Sequence, residues 1–469
     1  MMYCWAGLAL VTLYLFARQR FWLSPTALFF GYFALVYPIS YLISYWLQLP
    51  SLLFSSPQQI PSDKLDHAFF LACLSLGSFC LFRFLVPALQ LAFFAPIPRL
   101  QWNEVKIIDS RLRIAVILSL LAAILAAGYF IRTFGGMQGI VSNLGSIRGG
   151  ELQGMGLPVY ALTYLVPTIM QFWLISSLKN RSKHRRLVLA ATIASALFGG
   201  LLGFRGPVAI LLIQTGCVGY LMCGRPNKKN VFYAALAAAV FATALGVVRE
   251  ASSVVGGDLD LIANVDLAST GPLIVGSLVT RTRGVEALVI MTEFIDRGGQ
   301  GDYHYFVENV METMLAPVPS FAVGSISSLA AVKSYPLCQR IATIVYGGYL
   351  SDAGNIQDIY GGVSYGLVAE AYWNLGWLGV VIVSGLLGYL LRMVEGERVQ
   401  RGPLYITVYK TFAGSIFMVI EGTQVGVNAI CLNLFVTLLI LAALSCKIDM
   451  FANVRLTSIP GGLDATARG

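Results

Sequence analysis

Apolar segments of about 20 residues recur along the whole chain, and they constrain its fold more than any other feature. An α-helix of that length crosses the hydrocarbon core of a lipid bilayer. The charge content points the same way, because only 12% of the residues are charged whereas a soluble domain has roughly 25%. The sequence therefore predicts an all-α polytopic membrane protein.

Hydropathy divides the 469 residues into about eleven predicted transmembrane spans and one large loop. The spans fall near 2–17, 25–47, 66–87, 114–131, 157–178, 187–203, 206–223, 231–248, 363–391, 404–420 and 427–446. In domain terms, we expect spans 1–8 in residues 1–248, the loop in 249–362, spans 9–11 in 363–446 and a tail in 447–469. Within the loop, 284–297 and 303–315 have helical patterns.

Lysine and arginine residues are concentrated in alternate loops, and this predicts the orientation of the spans. Short loops rich in these residues stay in the cytoplasm. The pattern places the N-terminus outside, the tail inside and the large loop on the extracytoplasmic side, where long loops escape the charge rule. The residues that mark the cytoplasmic side are Arg18, Arg20, Arg99, Lys106, Arg111, Arg113, Lys179, Arg181, Lys183, Arg185, Arg186, Arg225, Lys228, Lys229, Arg392, Arg398 and Arg401.

Basic residues on the predicted outer side are mostly arginine, although the inner side uses both arginine and lysine. A planar guanidinium donates to two oxygens at once and therefore suits phosphate and diphosphate groups. We expect a cationic pocket at the outer leaflet that binds a lipid-linked diphosphate. The alternative is that each arginine pairs with an acidic residue of the loop. The expected diphosphate ligands are Arg148, Arg205, Arg249, Arg281 and Arg283.

Arg205 is the strongest of these candidates, because it is the only charged residue between 187 and 224. Gly203 and Gly206 on either side allow a ligand to approach closely. Pro207 is suited to the first turn of the next helix. The positive N-terminus of that helix would face the same anion.

Two residues are rival candidates for a catalytic base. Glu151 lies in the glycine-rich stretch RGGELQG, where the backbone can wrap around a polar ligand; the alternative is a solvated acid in a flexible turn. His304 in GDYHYF is the other, with a surface histidine among tyrosines as the alternative. The Asp258–Leu–Asp260 pattern occurs at some metal sites, but no histidine or third acid lies near it in sequence, so we expect no metal and no cofactor.

Polar residues also enter the predicted ninth and tenth spans. Glu370 and Tyr372 lie near the start of the ninth, and we expect them to contact a sugar or an arginine in an external cavity, or to satisfy helix–loop contacts alone. Lys410 lies within the tenth span and is expected to reach the membrane surface or to pair with an acid.

Three stretches resemble a known family. They are the turn GLLGFRGPVAILL, the segment RTRGVEALVIMTEFIDRGGQGDYHYFVENVMETMLAPVPS and the helix entry GGVSYGLVAEAYWNLGWLGVV. Together they resemble the Wzy-type oligosaccharide repeat-unit polymerases of O-antigen, capsule and enterobacterial common antigen. The likeness covers roughly 187–392, and the N-terminal spans match in hydropathy alone. Pro319–Ser320 replaces the usual Pro-Arg of the family, so the phosphate contact of that arginine does not carry over.

The resemblance implies a GT-C-like glycosyltransferase in the bacterial inner membrane, with its active site facing the periplasm. It implies transfer of the growing glycan from undecaprenyl diphosphate to a sugar hydroxyl of another lipid-linked repeat unit. It also implies a chain-length-regulating co-polymerase as partner, and we expect no nucleic-acid partner. The alternatives are an O-antigen ligase, which transfers the glycan to lipid A core, and a lipid-linked oligosaccharide transporter.

Overall fold

The computed structural model of the protein describes residues 1–19, 21–48, 60–85, 106–136, 139, 161–201, 205–224, 284–296, 311, 366–396 and 402–445. These residues are helical apart from turns, caps and one isolated antiparallel bridge between Ile107 and Ser445. The prediction of an all-α protein is therefore confirmed for the described part of the chain.

Twelve α-helices, numbered here in chain order, make up most of the described structure. They are α1 (Met2–Ala17), α2 (Pro25–Ala34), α3 (Ser40–Trp46), α4 (Ser62–Cys80), α5 (Asp109–Thr133), α6 (Val166–Lys179), α7 (Arg185–Leu201), α8 (Arg205–Cys223), α9 (Gly284–Asp296), α10 (Gly366–Gly396), α11 (Pro403–Glu421) and α12 (Thr423–Leu444). Short π-helical segments join α2 to α3 (Leu35–Ile39), extend α4 (Leu81–Leu85) and precede α6 (Ala161–Leu165).

Five helical segments of the described structure are long and apolar enough to cross a membrane: Pro25–Trp46, Ser62–Leu85, Asp109–Thr133, Gly366–Glu395 and Pro403–Glu421. Met2–Ala17, Val208–Cys223 and Ala429–Leu444 are shorter apolar helices. Each predicted span that falls on described residues coincides with a helix, and the predicted span 231–248 lies outside them. The protein is a polytopic transmembrane protein.

The helices pack into two groups that share α11 and α12. The largest core cluster joins α1, the Pro25–Trp46 segment, α4, α9, α10, α11 and, through Ile430, α12. A second cluster joins α5, α6, α7, α8, α11 and α12. Helix α5 lies at the edge of the second group, since Ile117 is 65% and Ile124 is 68% exposed. Apolar side chains exposed to this degree are expected on a surface that faces lipid.

One end of the bundle, here called the basic end, is held together by polar contacts between helix termini. Arg83 Nη2 lies 2.6 Å from Glu395 Oε2, and Thr26 donates to Glu395 from its backbone N–H (2.6 Å) and its hydroxyl (2.9 Å). Arg111 donates to the carbonyl oxygen of Ser445 at 3.2 Å. The opposite end, where α1 and α4 begin, is called the far end.

Helix α10 is bent sharply in its first third. Leu375 (φ −143°, ψ 22°) and Gly376 (φ 61°, ψ −150°) leave helical geometry and divide it into a first arm (366–374) and a second arm (377–396). A Cβ atom placed on Gly379 would lie 2.1 Å from the Ala371 carbonyl oxygen, although residues eight apart in a straight helix rise by about 12 Å. The chain therefore folds back at the bend, and the second arm then follows α4, with the Ser75 and Ser384 hydroxyls 2.7 Å apart.

Helix α9 belongs to the predicted extracytoplasmic loop, and the expected helical stretch at 284–297 is confirmed as Gly284–Asp296. It packs against α4, α10 and the Pro25–Trp46 segment. Its residues from 284 to 292 are buried on every side. A helix buried all round is apolar all round, and that is how its sequence GVEALVIMT reads apart from Glu286.

Candidate active site

Tyr37 lies where several segments meet, and its side chain is fully buried. The backbone N–H of Val368, near the start of α10, donates to the Tyr37 hydroxyl oxygen at 3.0 Å. A Cβ atom on Gly366 would lie 2.7 Å from that oxygen and 3.5 Å from the carbonyl oxygen of Ile420. The start of α10 and the end of α11 therefore lie together against Tyr37.

Helix α9 begins at the same place. A Cβ atom on Gly284 would lie 2.6 Å from Val36 Cγ1 and 3.0 Å from Tyr37 Cε1, so only glycine allows this approach. Gly366 is constrained twice, because its φ of +85° also favours glycine. Both glycines belong to the stretches that resemble the polymerase family. Their shared contact with Tyr37 explains why glycine is required at each of these two positions.

A local distortion places Tyr37 at this junction. Residues Leu35–Ile39 form a π-helical turn with Pro38 inside it, and the Ser40 N–H reaches back five residues to the Leu35 carbonyl oxygen. Proline has no N–H to donate and crowds the preceding turn, which favours such a widening. Widened turns of this kind are frequent at functional sites.

Two buried carboxylates lie close to this junction. Glu286 is in the first turn of α9 and is 3% exposed. Glu370 is 2% exposed and lies two residues after Val368, whose N–H donates to the Tyr37 hydroxyl oxygen. Carboxylates near helix N-termini are stabilised by the partial positive charge of the helix end. The starts of α9 and of the first arm of α10 both supply such charge next to Tyr37.

A third carboxylate, Glu421, ends α11 beside the same junction. The Tyr32 hydroxyl donates to Glu421 Oε1, which ties the end of α11 to α2. Both side chains are partly exposed. The α11–α12 turn is tight here, since a Cβ atom on Gly426 would lie 2.3 Å from the Val419 backbone nitrogen.

This turn is recessed below the far end of the bundle. Trp46 ends the Pro25–Trp46 segment at the far end, and the stretch from Tyr32 to Trp46 measures about 20 Å at ~1.5 Å per residue. Glu421 contacts the segment at Tyr32. The junction on Tyr37 therefore lies within the thickness of the bundle.

Above the junction, toward the far end, Tyr372 packs against His67 of α4. The two rings are perpendicular, with centroids 5.5 Å apart, and both side chains are partly exposed. The Asn374 amide donates to the Glu370 carbonyl oxygen at 2.8 Å, just before the bend in α10. Tyr372 thus stays close to the junction as a candidate for contact with a sugar, whereas Glu370 lies on the same arm with its side chain buried.

The predicted arginine pocket falls mostly outside the described residues. Arg148, Arg249, Arg281 and Arg283 lie outside them, as do the two base candidates, Glu151 and His304. Arg205 was predicted in the turn before the span and is the first residue of α8, which places Pro207 in the first turn as expected; the Arg205 side chain is outside the described part. The diphosphate pocket stays a prediction, although Arg281 and Arg283 directly precede Gly284 in the chain.

The tyrosines and the histidine that the N-terminal spans contribute were not predicted from the sequence. Tyr32 and Tyr37 lie in a run that reads as an ordinary apolar span. Pro38 inside that run was the available signal, because proline within a helix marks a local distortion. His67 was hidden at the start of the third span, where a polar residue is unremarkable.

The expectation that Lys410 reaches the membrane surface is wrong. Its side chain is 1% exposed, and its Nζ donates to Gln171 Oε1. The Gln171 amide nitrogen lies 3.3 Å from the Leu211 carbonyl oxygen. Helix α11 is central to the bundle, between α8 and α2, so the lysine has no route to the surface.

Comparison with known proteins identifies the family. The model of a family described as O-antigen polysaccharide polymerase Wzy matches residues 155–448, which is more than half of the chain. Searches among curated proteins and among solved structures found no match. The matched range contains Gly284, Gly366 and Glu421, whereas Tyr32 and Tyr37 precede it. The chain belongs to the O-antigen polysaccharide polymerase Wzy family.

Proposed function

We propose that this protein polymerises lipid-linked oligosaccharide repeat units at the periplasmic face of the bacterial inner membrane. It transfers the growing glycan from undecaprenyl diphosphate to a sugar hydroxyl of another undecaprenyl-diphosphate-linked repeat unit. Membership of the Wzy family supports repeat-unit polymerisation in general. The observation that carries the finer proposal is the recessed junction, where the two motif-bearing segments that start α9 and α10 meet at Tyr37.

The donor diphosphate would be held by arginines next to this junction. The reaction breaks the bond between the anomeric carbon and the diphosphate, so negative charge grows on the leaving oxygen. Arg281 and Arg283 precede Gly284, whose helix starts against Tyr37. Guanidinium groups stabilise such charge without a metal. Arg148, Arg205 and Arg249 complete the proposed diphosphate pocket.

A recessed site suits a substrate anchored in the membrane. The polyprenyl tail of each substrate stays in the bilayer, and its phosphates lie near the headgroups. The sugars extend toward the far end, past Tyr372 and His67, whose partly exposed rings offer apolar faces to them. Glu370, on the same arm of α10, is buried and would hold an arginine or the arm itself in place.

The proposed architecture is GT-C-like with eleven spans and a large, partly helical periplasmic loop at 249–362. The basic end of the bundle would face the cytoplasm under the positive-inside rule. The far end and the junction on Tyr37 would then open to the periplasm. A chain-length-regulating co-polymerase is the proposed partner in the membrane.

The direct test is polymer formation by the purified protein from one lipid-diphosphate repeat unit, with EDTA present. We expect a ladder of glycans and no requirement for a nucleotide sugar. Transfer of single units to lipid A core, without a ladder, would assign the protein to the ligases instead. Movement of the intact lipid-linked unit across vesicles, without new glycosidic bonds, would assign it to transport.

The arginine pocket is tested by variants of the same protein. Arg205→Ala and Arg281→Ala should each shorten or abolish the ladder, because a diphosphate contact is lost. Arg113→Ala, at the exposed start of α5 on the basic end, is the matched control and should leave the ladder unchanged. Full-length polymer from both pocket variants would remove the diphosphate role of these residues.

A further inference from the structure

We propose that the Glu421 carboxylate accepts the proton of the acceptor sugar hydroxyl, and that Tyr32 positions it. This inference rests on the proposed function and assigns one catalytic residue within it. Glu151 and His304 are the candidates that the sequence suggested for the same task. Glu421 is distinguished from them by described contacts at the junction on Tyr37.

Glu421 lies at the junction on Tyr37. Glu421 directly follows Ile420, whose carbonyl oxygen lies against Gly366 at the start of α10. Its carboxylate therefore lies beside the point where α9, α10 and α11 meet. The helix that starts at Gly284 follows the arginines proposed for the diphosphate. A base must lie on the acceptor side of the same reaction centre, within hydrogen-bonding reach of the hydroxyl.

The three carboxylates described around Tyr37 differ in their exposure. Glu286 and Glu370 are 3% and 2% exposed, so neither can reach a sugar hydroxyl without rearrangement. Glu421 is partly exposed although it is recessed in the bundle. Of the three carboxylates described around Tyr37, it is therefore the one that a substrate can contact.

The Glu421 carboxylate is held in one orientation by its neighbours. The Tyr32 hydroxyl donates to Glu421 Oε1 and fixes the rotation of the carboxylate. The tight packing of Gly426 on Val419 fixes the backbone of the α11–α12 turn. A group held in one orientation before the substrate arrives loses little conformational freedom in the reaction.

The chemical step transfers the donor glycan to the acceptor oxygen and one proton to Glu421. The acceptor oxygen forms a bond to the anomeric carbon of the donor glycan as its proton passes to Glu421. The bond from that carbon to the diphosphate oxygen breaks, and its electron pair leaves with undecaprenyl diphosphate. The protonated Glu421 then gives its proton to water at the far end, which restores the carboxylate. No oxidant, metal or further reactant is required.

The experiment measures polymerisation rates of purified variants with the lipid-diphosphate repeat unit. A positioned base contributes roughly 100-fold or more to the rate, so Glu421→Gln should lose activity to that extent. Glu421→Asp keeps a carboxylate set back by one methylene and should retain intermediate activity. Formate added to Glu421→Ala should restore part of the rate, which a purely structural role would not allow.

Tyr32→Phe tests the positioning role separately. Loss of a hydrogen bond to a charged group should lower kcat roughly tenfold, while KM for the lipid-linked substrate stays unchanged. Tyr129→Phe, on the lipid-facing α5, is the matched control and should have no effect. Asp63→Asn, at the exposed start of α4, is the control for the Glu421 variants.

The outcomes separate this inference from the proposed function. Wild-type activity in a folded Glu421→Gln variant would overturn the role of Glu421 and leave the polymerase intact. Loss confined to Glu151→Gln or His304→Asn would move the base to that residue. If the wild-type protein forms no polymer, the proposed function fails and this inference fails with it. If Glu421→Gln does not fold, the Asp and Tyr32→Phe variants decide.

Discussion

The Tyr37 hydroxyl accepts a hydrogen bond from the backbone N–H of Val368 across two segments that are distant in sequence. This N–H belongs to the first turn of α10, where the helix itself provides no acceptor. Tyr37, from the second predicted span, therefore provides the hydrogen-bond acceptor for a backbone N–H at the start of α10, a helix that carries a family motif. The N-terminal spans are part of the site, although the family match begins at residue 155.

Tyr37→Phe should separate this hydrogen bond from the packing of the ring. The variant leaves the Val368 N–H buried without its acceptor, and we expect a loss of about 1–3 kcal/mol in the free energy of unfolding. Polymer synthesis should fall further than stability alone explains, since the start of α10 loses its anchor. Thermal unfolding in detergent and the glycan ladder measure the two effects. Equal stability of the variant and the wild type would contradict the role of this bond.

Gly366→Ala should be among the most disruptive small substitutions in the protein. The new Cβ atom would lie 2.7 Å from the Tyr37 hydroxyl oxygen, at a φ of +85° that alanine disfavours. We expect a loss of about 2 kcal/mol or more in the free energy of unfolding and a shortened ladder. Gly77→Ala is the matched control, because an added Cβ there meets nothing within 4 Å. It should be neutral or slightly stabilising, since alanine is the better helix former.

Glu395→Ala should destabilise the basic end without altering the chemistry. It removes the acceptor of the Arg83 guanidinium and of the Thr26 N–H and hydroxyl. We expect a loss of about 2 kcal/mol in the free energy of unfolding, with normal polymer length at temperatures where the variant stays folded. Asp109→Ala, whose contact with Ser176 is exposed, should cost well under 1 kcal/mol. Lost polymerisation in a folded Glu395 variant would show that the basic end takes part in the reaction.

The pair of Lys410 and Gln171 should behave as a coupled unit. Gln171→Leu removes the amide oxygen that accepts from the buried amine, and we expect a loss of about 3 kcal/mol in the free energy of unfolding. The double variant Gln171→Leu with Lys410→Met should recover most of that loss, because no buried polar group is then left alone. Unfolding in detergent across the four proteins of this cycle measures the coupling. Additive losses would contradict it.

The sequence predicted most helices, because lipid makes apolar length a strong signal. It could not predict the bend in α10, since 363–391 reads as one continuous span. The break depends on Gly376 adopting a positive φ, which glycines in membrane helices usually do not do. Gly376 can adopt this φ because glycine has no Cβ atom. Whether it does so depends on how the two arms of α10 pack, and the sequence does not show that packing.

The candidate site was predicted in part. The stretches that contain Gly284, Gly366, Glu370 and Tyr372 were marked by their resemblance to the family, and the structure shows Tyr37 as the shared contact of both glycines. Tyr32, His67 and Glu421 carry no pattern that separates them from other polar residues near helix ends. Their importance arises from contacts between spans far apart in the chain, which no local pattern encodes.

The widened turn at Leu35–Ile39 has a consequence for how this enzyme can change over evolution. A π-helical turn accommodates one more residue than an α-helical turn, so deleting a single residue there would return the helix to regular geometry. Because the widened turn already absorbs the extra residue, α2 and α3 would keep nearly the same orientation after the deletion, and the change would be confined to the turn itself. Tyr37 lies inside that turn and would lose its place at the junction, so insertion into the membrane would be preserved while synthesis was lost. Variants that lack a single residue within 35–39 are thus expected to insert into the membrane but to form no polymer.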